Sequence, residues 1–261
     1  MPEYTEHVPG TFCWVDLATT DAQGGKKFYS ELFGWTAKEE PAGAESVYVR
    51  FSQAGKSVAA LYSMSQEMRD QNIPPHWLSY VSVVDADETA ARARELGGMV
   101  QMDPFDVFDV GRMTVIQDPS GAHFAIWQPK KHKGAELRNE PVSLCWNEVL
   151  TNDVDKAGEF YTKLFGWRAE TENYGDFDYT MFMVGDQAAG GMMAIQEEMG
   201  DIPPHWAIYF AVEDCDVTSK RARELGGKVL VTPQDIQGVG KFAFIEDPQE
   251  AVFAIIKMAQ F

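Results

Sequence analysis

The first ordered pattern along the chain is an alternation. In FCWVDLAT, residues 12–19, successive side chains take turns as they do in a half-buried strand. The period then lengthens. Asp21 stands where a helix N-cap belongs, Phe28, Tyr29, Leu32 and Phe33 form an i, i+4 apolar stripe, and Gly34 follows as the helix stop. Residues 46–52 and 57–63 return to strand-like patterning on either side of a turn at Gly55. After IPPHW (73–77) comes a strand, WLSYVSVV, and Asp85 or Asp87 caps a second helix that ends at Gly97 and Gly98. Strands are expected at 99–102, 111–117 and 123–128, so the order is strand, helix, several strands, and then the same again.

The whole pattern is then repeated. WVDLATTDAQGGKKFYSELFGW (14–35) aligns with WNEVLTNDVDKAGEFYTKLFGW (146–167) at an offset of 132. IPPHW, RARELGG (92–98 and 221–227) and DP (118–119 and 247–248) recur at an offset of 129, so three residues are lost between Trp167 and Ile202. A period near 130 suits a whole domain rather than a solenoid unit. The expected organisation is a first domain over 1–130, a polar, locally basic linker over 131–141, and a second domain over 142–261. In the second copy, strands fall at 144–151, 205–212, 240–246 and 251–257, with helices at 155–165 and 216–225. The fold class read from this is α+β, with each domain a pair of βαβββ modules forming a cup-shaped mixed sheet.

Composition narrows the function classes. Apolar content of 45% and charged content of 24% are those of a globular protein with a core. With 22 basic against 40 acidic residues the net charge is −18, so neither nucleic acid nor an anionic membrane is an expected partner. No apolar run approaches a membrane span, and the first residues lack a secretory pattern, which points to a cytoplasmic protein. Three cysteines without a CxxC fit a reducing compartment; Cys13 and Cys145 precede tryptophans at equivalent positions and read as buried strand residues.

The strand-Asp-(six residues)-PheTyr-xx-LeuPheGlyTrp pattern, DPSG at 118–121 and the paired βαβββ order resemble the vicinal-oxygen-chelate superfamily, which includes glyoxalase I, extradiol dioxygenases and bleomycin-resistance proteins. The doubled arrangement is similar to tandem two-domain bacterial glyoxalase-like proteins. The resemblance implies a divalent metal held in a cup of strands by His, Gln and Glu side chains. Alignment puts those ligand positions on Trp14 and Trp146, Leu78 and Ala207, and Ala125 and Ala254, none of which can ligate a metal. No cofactor is therefore expected; a divalent metal stays open only through relocated ligands such as Asp16, His76 and His123.

Residues sharing parity with the lost ligands should face the cup. That set holds Asp16 and Glu148 as candidate catalytic carboxylates, and Trp14, His76, Tyr80, His123, Trp127, Trp146, His205 and Tyr209 as candidate ligand contacts. Each has a plainer reading: carboxylates in water at a sheet edge, tryptophans as cavity wall, histidines fixing the start of a strand. The last strand carries His123 and Trp127 in the first copy but Val252 and Ile256 in the second, which favours a better-equipped first cup. The basic run KKHK (130–133) reads as solvated linker.

Three functions compete. The first is a metal-independent binder of an aromatic or cationic small molecule. The second is a glyoxalase- or lyase-like enzyme using Asp16 or Glu148 as base, and the third is a non-catalytic interaction protein. In each, the tandem domains would form an intramolecular pseudodimer, compatible with a monomer.

Overall fold

In β1 (Phe12–Thr19) the alternation does what the sequence implies: Val15 and Leu17 enter a large apolar core on one face, while Trp14 and Asp16 occupy the other. A computed structural model describes residues 3–41, 47–175, 177–236 and 238–259. The first half continues with α1 (Ala22–Phe33), β2 (Thr36–Pro41), β3 (Val47–Gln53), β4 (Lys56–Ser63), the short α2 (Gln66–Asp70) and β5 (His76–Ser82). Then come α3 (Ala86–Glu95), β6 (Met99–Val100), β7 (Phe105–Val107), β8 (Gly111–Gln117) and β9 (His123–Pro129). The second half repeats it as β10 (Leu144–Thr151), α4 (Val154–Phe165), β11 (Arg168–Asn173), β12 (Asp178–Val184), β13 (Gln187–Ala194), β14 (His205–Ala211), α5 (Cys215–Glu224), β15 (Lys228–Ile236), β16 (Gly240–Glu246) and β17 (Val252–Met258).

Asp21 caps α1 through the amides of Gln23 and Gly24, and Gly34 ends it with a left-handed φ of 72°. Asp85 rather than Asp87 caps α3, accepting from the Glu88 amide. The strand read at 46–52 lies at Val47–Gln53, position 46 being outside the described residues. Two strands had no signature: β2 and β11 are sheet edges with almost every side chain in water, so no face alternates. The expected strand 99–102 shrinks to Met99–Val100, because Gln101 to Pro104 lead away to β7.

Each half forms one mixed sheet, ordered β2-β3-β4-β1-β5-β9-β8-β6 with β7 on β8, and β11-β12-β13-β10-β14-β17-β16-β15. The antiparallel β1–β5 and β10–β14 pairs join the two βαβββ modules at the middle of each sheet. The architecture is α+β, and each sheet curls into a cup.

The two sheets pack back to back through their helices, and each core is shared between halves. One cluster unites Leu17, Phe28, Tyr29, Phe33, Phe51 and Trp77 with Phe210, Ile245 and Phe253. The other unites Val81, Phe124 and Ile126 with Phe160, Tyr161, Trp167 and Trp206. Here the repeated motifs find their purpose. The Trp77 indole donates to the Tyr29 hydroxyl (3.0 Å), which donates to Asp247 of the opposite half (2.9 Å). Trp206 donates to Tyr161 (2.7 Å), which donates to Asp118 (2.7 Å). The tryptophans after the helix stops finish the lacing, Trp35 donating to the Val142 carbonyl (2.8 Å) and Trp167 to that of Gly10 (2.7 Å). Every one of these polar atoms is withdrawn from water, so each requires its partner.

The segment 131–141 is no free tether. The Ala135 amide donates to the Cys13 carbonyl (2.7 Å), the Glu136 amide to that of Ser57 (2.8 Å), and the Ser57 amide to the Glu136 carboxylate (2.7 Å). Among the described residues no helix is long and apolar enough to cross a membrane.

Candidate ligand site in the sheet cups

At the centre of the first cup sits Asp16, 4% exposed, on β1. Tyr80 on β5 donates its hydroxyl to both carboxyl oxygens (3.2 and 3.0 Å), and Tyr48 on β3 donates to Oδ2 (3.1 Å). The Trp14 indole in turn donates to Tyr48 (2.9 Å). Burial pushes the Asp16 carboxyl up to about 7, outweighing the two hydroxyls that favour its ionised form. Trp127 closes one wall, edge-on to Tyr80 at 6.3 Å, with its indole N–H on the His132 carbonyl (2.9 Å).

The second cup repeats the design with a longer acid. Glu148 on β10 is 6% exposed and accepts from Tyr209 (3.0 Å), with the Tyr179 hydroxyl close by, while Trp146 donates to Tyr179 (2.8 Å). Burial again raises the carboxyl above its ordinary range. Phe242 and Phe244 line the wall where the first cup has Met113 and Val115, and Ile256 replaces Trp127. Gly191 is required beside this group: a Cβ there would lie 2.0 Å from the Tyr179 hydroxyl and 3.1 Å from Trp146 Nε1. Gly191→Ala is expected to push Tyr179 off Glu148 and abolish ligand binding in this cup while leaving the first cup's tyrosines in place. A titration of the variant, with its near-ultraviolet circular dichroism, checks this; unchanged binding would show that Tyr179 takes no part.

Seven candidates therefore converge on two buried centres: Trp14, Asp16, Tyr80 and, more peripherally, Trp127 in the first cup, and Trp146, Glu148 and Tyr209 in the second, where Tyr179 joins them. The histidines do not join them. His76 and His205 each donate Nδ1–H to the carbonyl two residues earlier (Pro74 and Pro203, both 2.8 Å), which folds the ring over the Pro-Pro turn. Burial lowers both below the usual imidazole range. His123 stands at the solvent-exposed start of β9, with Gln101 at 3.4 Å and His76 close enough to depress its protonation further.

Tyr48 and Tyr179 were missed by the sequence reading, although a signal existed. VYVRFSQ and DYTMFMV alternate as clearly as β1, and Val49 and Phe51 point to the core, so Tyr48 and Arg50 must face the cup. His132 is the second omission, and it corrects the view of KKHK as simply solvated. Its ring stands edge-on to Trp14 at 4.6 Å inside the cup, and its Nε2 is buried without a partner among the described residues. No periodicity announces this.

The family metal does not fit these cups. Trp14, Leu78 and Ala125 gather in one apolar cluster at the floor of the first, and Trp146, Ala207 and Ala254 in the second, and none of these six side chains offers a donor atom for a divalent ion. Among the described residues no three His, Cys, Asp or Glu side chains come together as ligands, so Asp16, His76 and His123 form no relocated site. The cysteine thiols are buried and free; burial pushes Cys13 and Cys145 up to about 12, which keeps them protonated and unreactive.

Known proteins share this plan. CFP32 of Mycobacterium bovis, provisionally named a glyoxylase, is 41% identical over 99% of both chains. The anthracycline biosynthesis protein DnrV of Streptomyces peucetius is 36% identical, covering 98% of this chain and 96% of its own. Among solved structures, the Mn(II)-bound glyoxalase of Novosphingobium aromaticivorans superposes with a TM-score of 0.65 at 15% identity, covering 95% of this chain and 82% of that one. The 2,2',3-trihydroxybiphenyl 1,2-dioxygenase of Sphingomonas wittichii gives 0.64 at 13%, covering 97% and 92%. At such identities the last two attest the fold alone. A family model matches residues 11–126 and again 143–255, one region per sheet, and on that evidence the chain belongs to the Glyoxalase/Bleomycin resistance protein/Dioxygenase superfamily.

Proposed function

We propose that the protein binds a small planar aromatic molecule in its sheet cups, using ring faces and one protonatable carboxyl where metal-dependent relatives use an ion. The observation that carries this reading is the replacement set itself. Trp14, Tyr48, Tyr80 and Trp127 surround Asp16, and Trp146, Tyr179, Tyr209, Phe242 and Phe244 surround Glu148. Apolar walls with a few convergent polar groups are the ordinary make-up of a small-molecule site. One relative takes its name from anthracycline biosynthesis, and ring-lined cups suit polycyclic chemistry of that kind.

Isothermal titration with 1-naphthol, as a hydroxylated polycyclic probe, is the direct test. Saturable heat is expected, and loss of both Trp14 and Trp146 to alanine should weaken binding about tenfold, in line with a stacking contact of about 1 kcal/mol or more. Absence of saturable binding would remove the reading.

A second reading has one specific observation in its favour: a carboxyl that titrates near neutrality and is held by two tyrosines can exchange protons as a general acid or base. Turnover of the methylglyoxal–glutathione hemithioacetal, with and without Zn²⁺ or Ni²⁺, addresses it. Activity lost in both Asp16→Asn and Glu148→Gln would place the protein with the enzymes.

A further inference from the structure

The duplication gave both sheets a buried acid but only the first an arginine in the same row. Arg50 on β3 pairs with Ala60 on β4, and Ala60 with Asp16 on β1. The corresponding row of the second sheet runs Met181, Gly191, Glu148. Arg50 opens onto a cleft of about 340 Å³ whose other walls include Tyr4, Ser57, Val110, Lys133 and Glu136. His132 also lines this cleft while meeting Trp14 edge-on at 4.6 Å, so the cleft abuts the first cup.

The segment after β9 forms the rim. The amides of Lys130 and His132 donate to the Val110 carbonyl (3.1 and 3.0 Å), and that of Ala135 to the Cys13 carbonyl (2.7 Å). Gly134 permits this approach with a φ of 117°; a Cβ there would lie 2.4 Å from the Cys13 carbonyl oxygen. Lys133 is thereby held beside Arg50's cleft by backbone hydrogen bonds on both sides of it.

The charges of the lining are unevenly matched. Its acids are turned to other donors, Glu136 to the Ser57 amide (2.7 Å) and Glu3 to Lys56 (3.3 Å), and Lys131 pairs with Asp109. Arg50 gives Nη2 to Glu40 (2.9 Å). Among the described residues Arg50 Nη1 donates to nothing and Lys133 has no carboxylate partner, while Arg50 Nε and His132 Nε2 are withdrawn from water unbonded. Positive charge is crowded here. Burial, then Arg50 and His7, hold His132 down to about 3, and burial, then Arg138, holds His7 down to about 4. Such crowding stands out in a chain whose net charge is −18.

We propose that this cleft is an anion site, which takes the carboxylate of a small organic acid between the Arg50 guanidinium and the Lys133 ammonium. Guanidinium and ammonium donors form their strongest hydrogen bonds with such an oxyanion. The volume lies in the range of ordinary small-molecule pockets, which begins at about 300 Å³, and leaves Tyr4 and Val110 to meet the carbon skeleton. The cups themselves do not suit an anion, because Asp16 or Glu148 would repel it once ionised. The site is therefore distinct from the one proposed for aromatic molecules and does not depend on it.

Calorimetric titration with cyclohexanecarboxylate, its neutral amide and inorganic phosphate decides the matter. The carboxylate should bind saturably at one equivalent per chain, and cyclohexanecarboxamide should not bind. Phosphate has no skeleton for Tyr4 and Val110 and should bind about tenfold more weakly; equal affinity would overturn the assignment to an organic acid. Arg50→Met installs the side chain that the second half carries in this row, and it should abolish carboxylate binding. Lys133→Gln, at an exposed position, should weaken binding about fivefold, the size of a solvent-facing ion pair. Near-ultraviolet circular dichroism matching the intact protein certifies the fold of both variants. Equal binding of carboxylate and amide, no saturable heat with the carboxylate, or carboxylate binding untouched by both substitutions would each overturn the proposal. Titration of Lys133→Gln with 1-naphthol should match that of the intact protein, so the cleft and the cups stand or fall separately.

Discussion

Asp118→Ala is expected to destabilise the whole molecule by about 3–5 kcal/mol, because it strands several buried donors at once. Asp118 is 3% exposed, and its Oδ1 accepts from the amides of Ser120 (2.7 Å), Gly121 (2.8 Å) and Ala122 (3.0 Å) and from the Ser120 hydroxyl (2.7 Å). Its Oδ2 takes the Tyr161 hydroxyl from the other half (2.7 Å). Alanine leaves the turn before β9 without its organiser and Tyr161 without an acceptor, and Trp206 then leans on an unanchored hydroxyl. Among the described residues the equivalent Asp247 carboxyl accepts only from Gln249, Ala251 and Tyr29, so Asp247→Ala should be milder. Thermal denaturation of the two variants gives the order directly, with the Asp118 variant melting roughly 10 °C below the intact protein. Because each relay crosses between halves, both sheets should unfold in one transition. A separate early transition of one half would show that the relays do not couple them.

The same relays show what a sequence can and cannot disclose. The strand and helix order was legible because β1, β5 and the helices each present one apolar face, and period and face are local properties of the chain. The duplication was equally plain. What could not be read was that Phe28-Tyr29, the tryptophan of IPPHW and the Asp-Pro turn are one structure, since its members lie 48 and 218 residues apart and in different halves. Only the back-to-back packing brings them together. The histidines of IPPHW attracted attention as ligands, yet their neighbours Trp77 and Trp206 carry the structural role, while the imidazoles fold back on a proline carbonyl.

For the cups the outcome is divided along the same line. Asp16, Trp14, Tyr80 and their second-half counterparts follow from parity within single strands, and parity is strict. Tyr48 and Tyr179 were missed, though the same rule applied to β3 and β12 would have found them. His132 follows from no such rule, because its place depends on where a connecting segment crosses the cup, and that is set by hydrogen bonds to Val110, Cys13 and Ser57 rather than by any pattern in KKHK. The presence of Trp127 suggested that the first cup was the better equipped. Trp127 is there, but it shares the space with His132, and the contrast with Ile256 concerns what fills a cup as much as what binds in it.

Asp16→Asn should stabilise the protein at pH 8 and have little effect at pH 4. Burial holds the carboxyl at about 7 in the folded chain against an ordinary value of 3.8, so the folded state holds its proton more tightly than the unfolded state. Below pH 3.8 the group is protonated in both states and contributes no penalty. As pH rises toward 7 the unfolded chain releases the proton freely while the folded chain cannot, and stability falls. Above pH 7 the folded state carries a buried carboxylate with two hydroxyls and no cation, and the loss levels off at about 4 kcal/mol. Asparagine keeps an oxygen for Tyr80 or Tyr48 and never ionises, so its stability should not follow this slope. Urea denaturation at pH 4, 6 and 8 should show the two proteins diverging with pH, and parallel profiles would mean that Asp16 is not the titrating group. Glu148, raised by the same burial, predicts a slope of the same sign for Glu148→Gln. Leucine at either position would remove the ionisation cost but strand the buried hydroxyls of Tyr48 and Tyr80, or of Tyr209, so the acid is held in each half partly by the donors it satisfies.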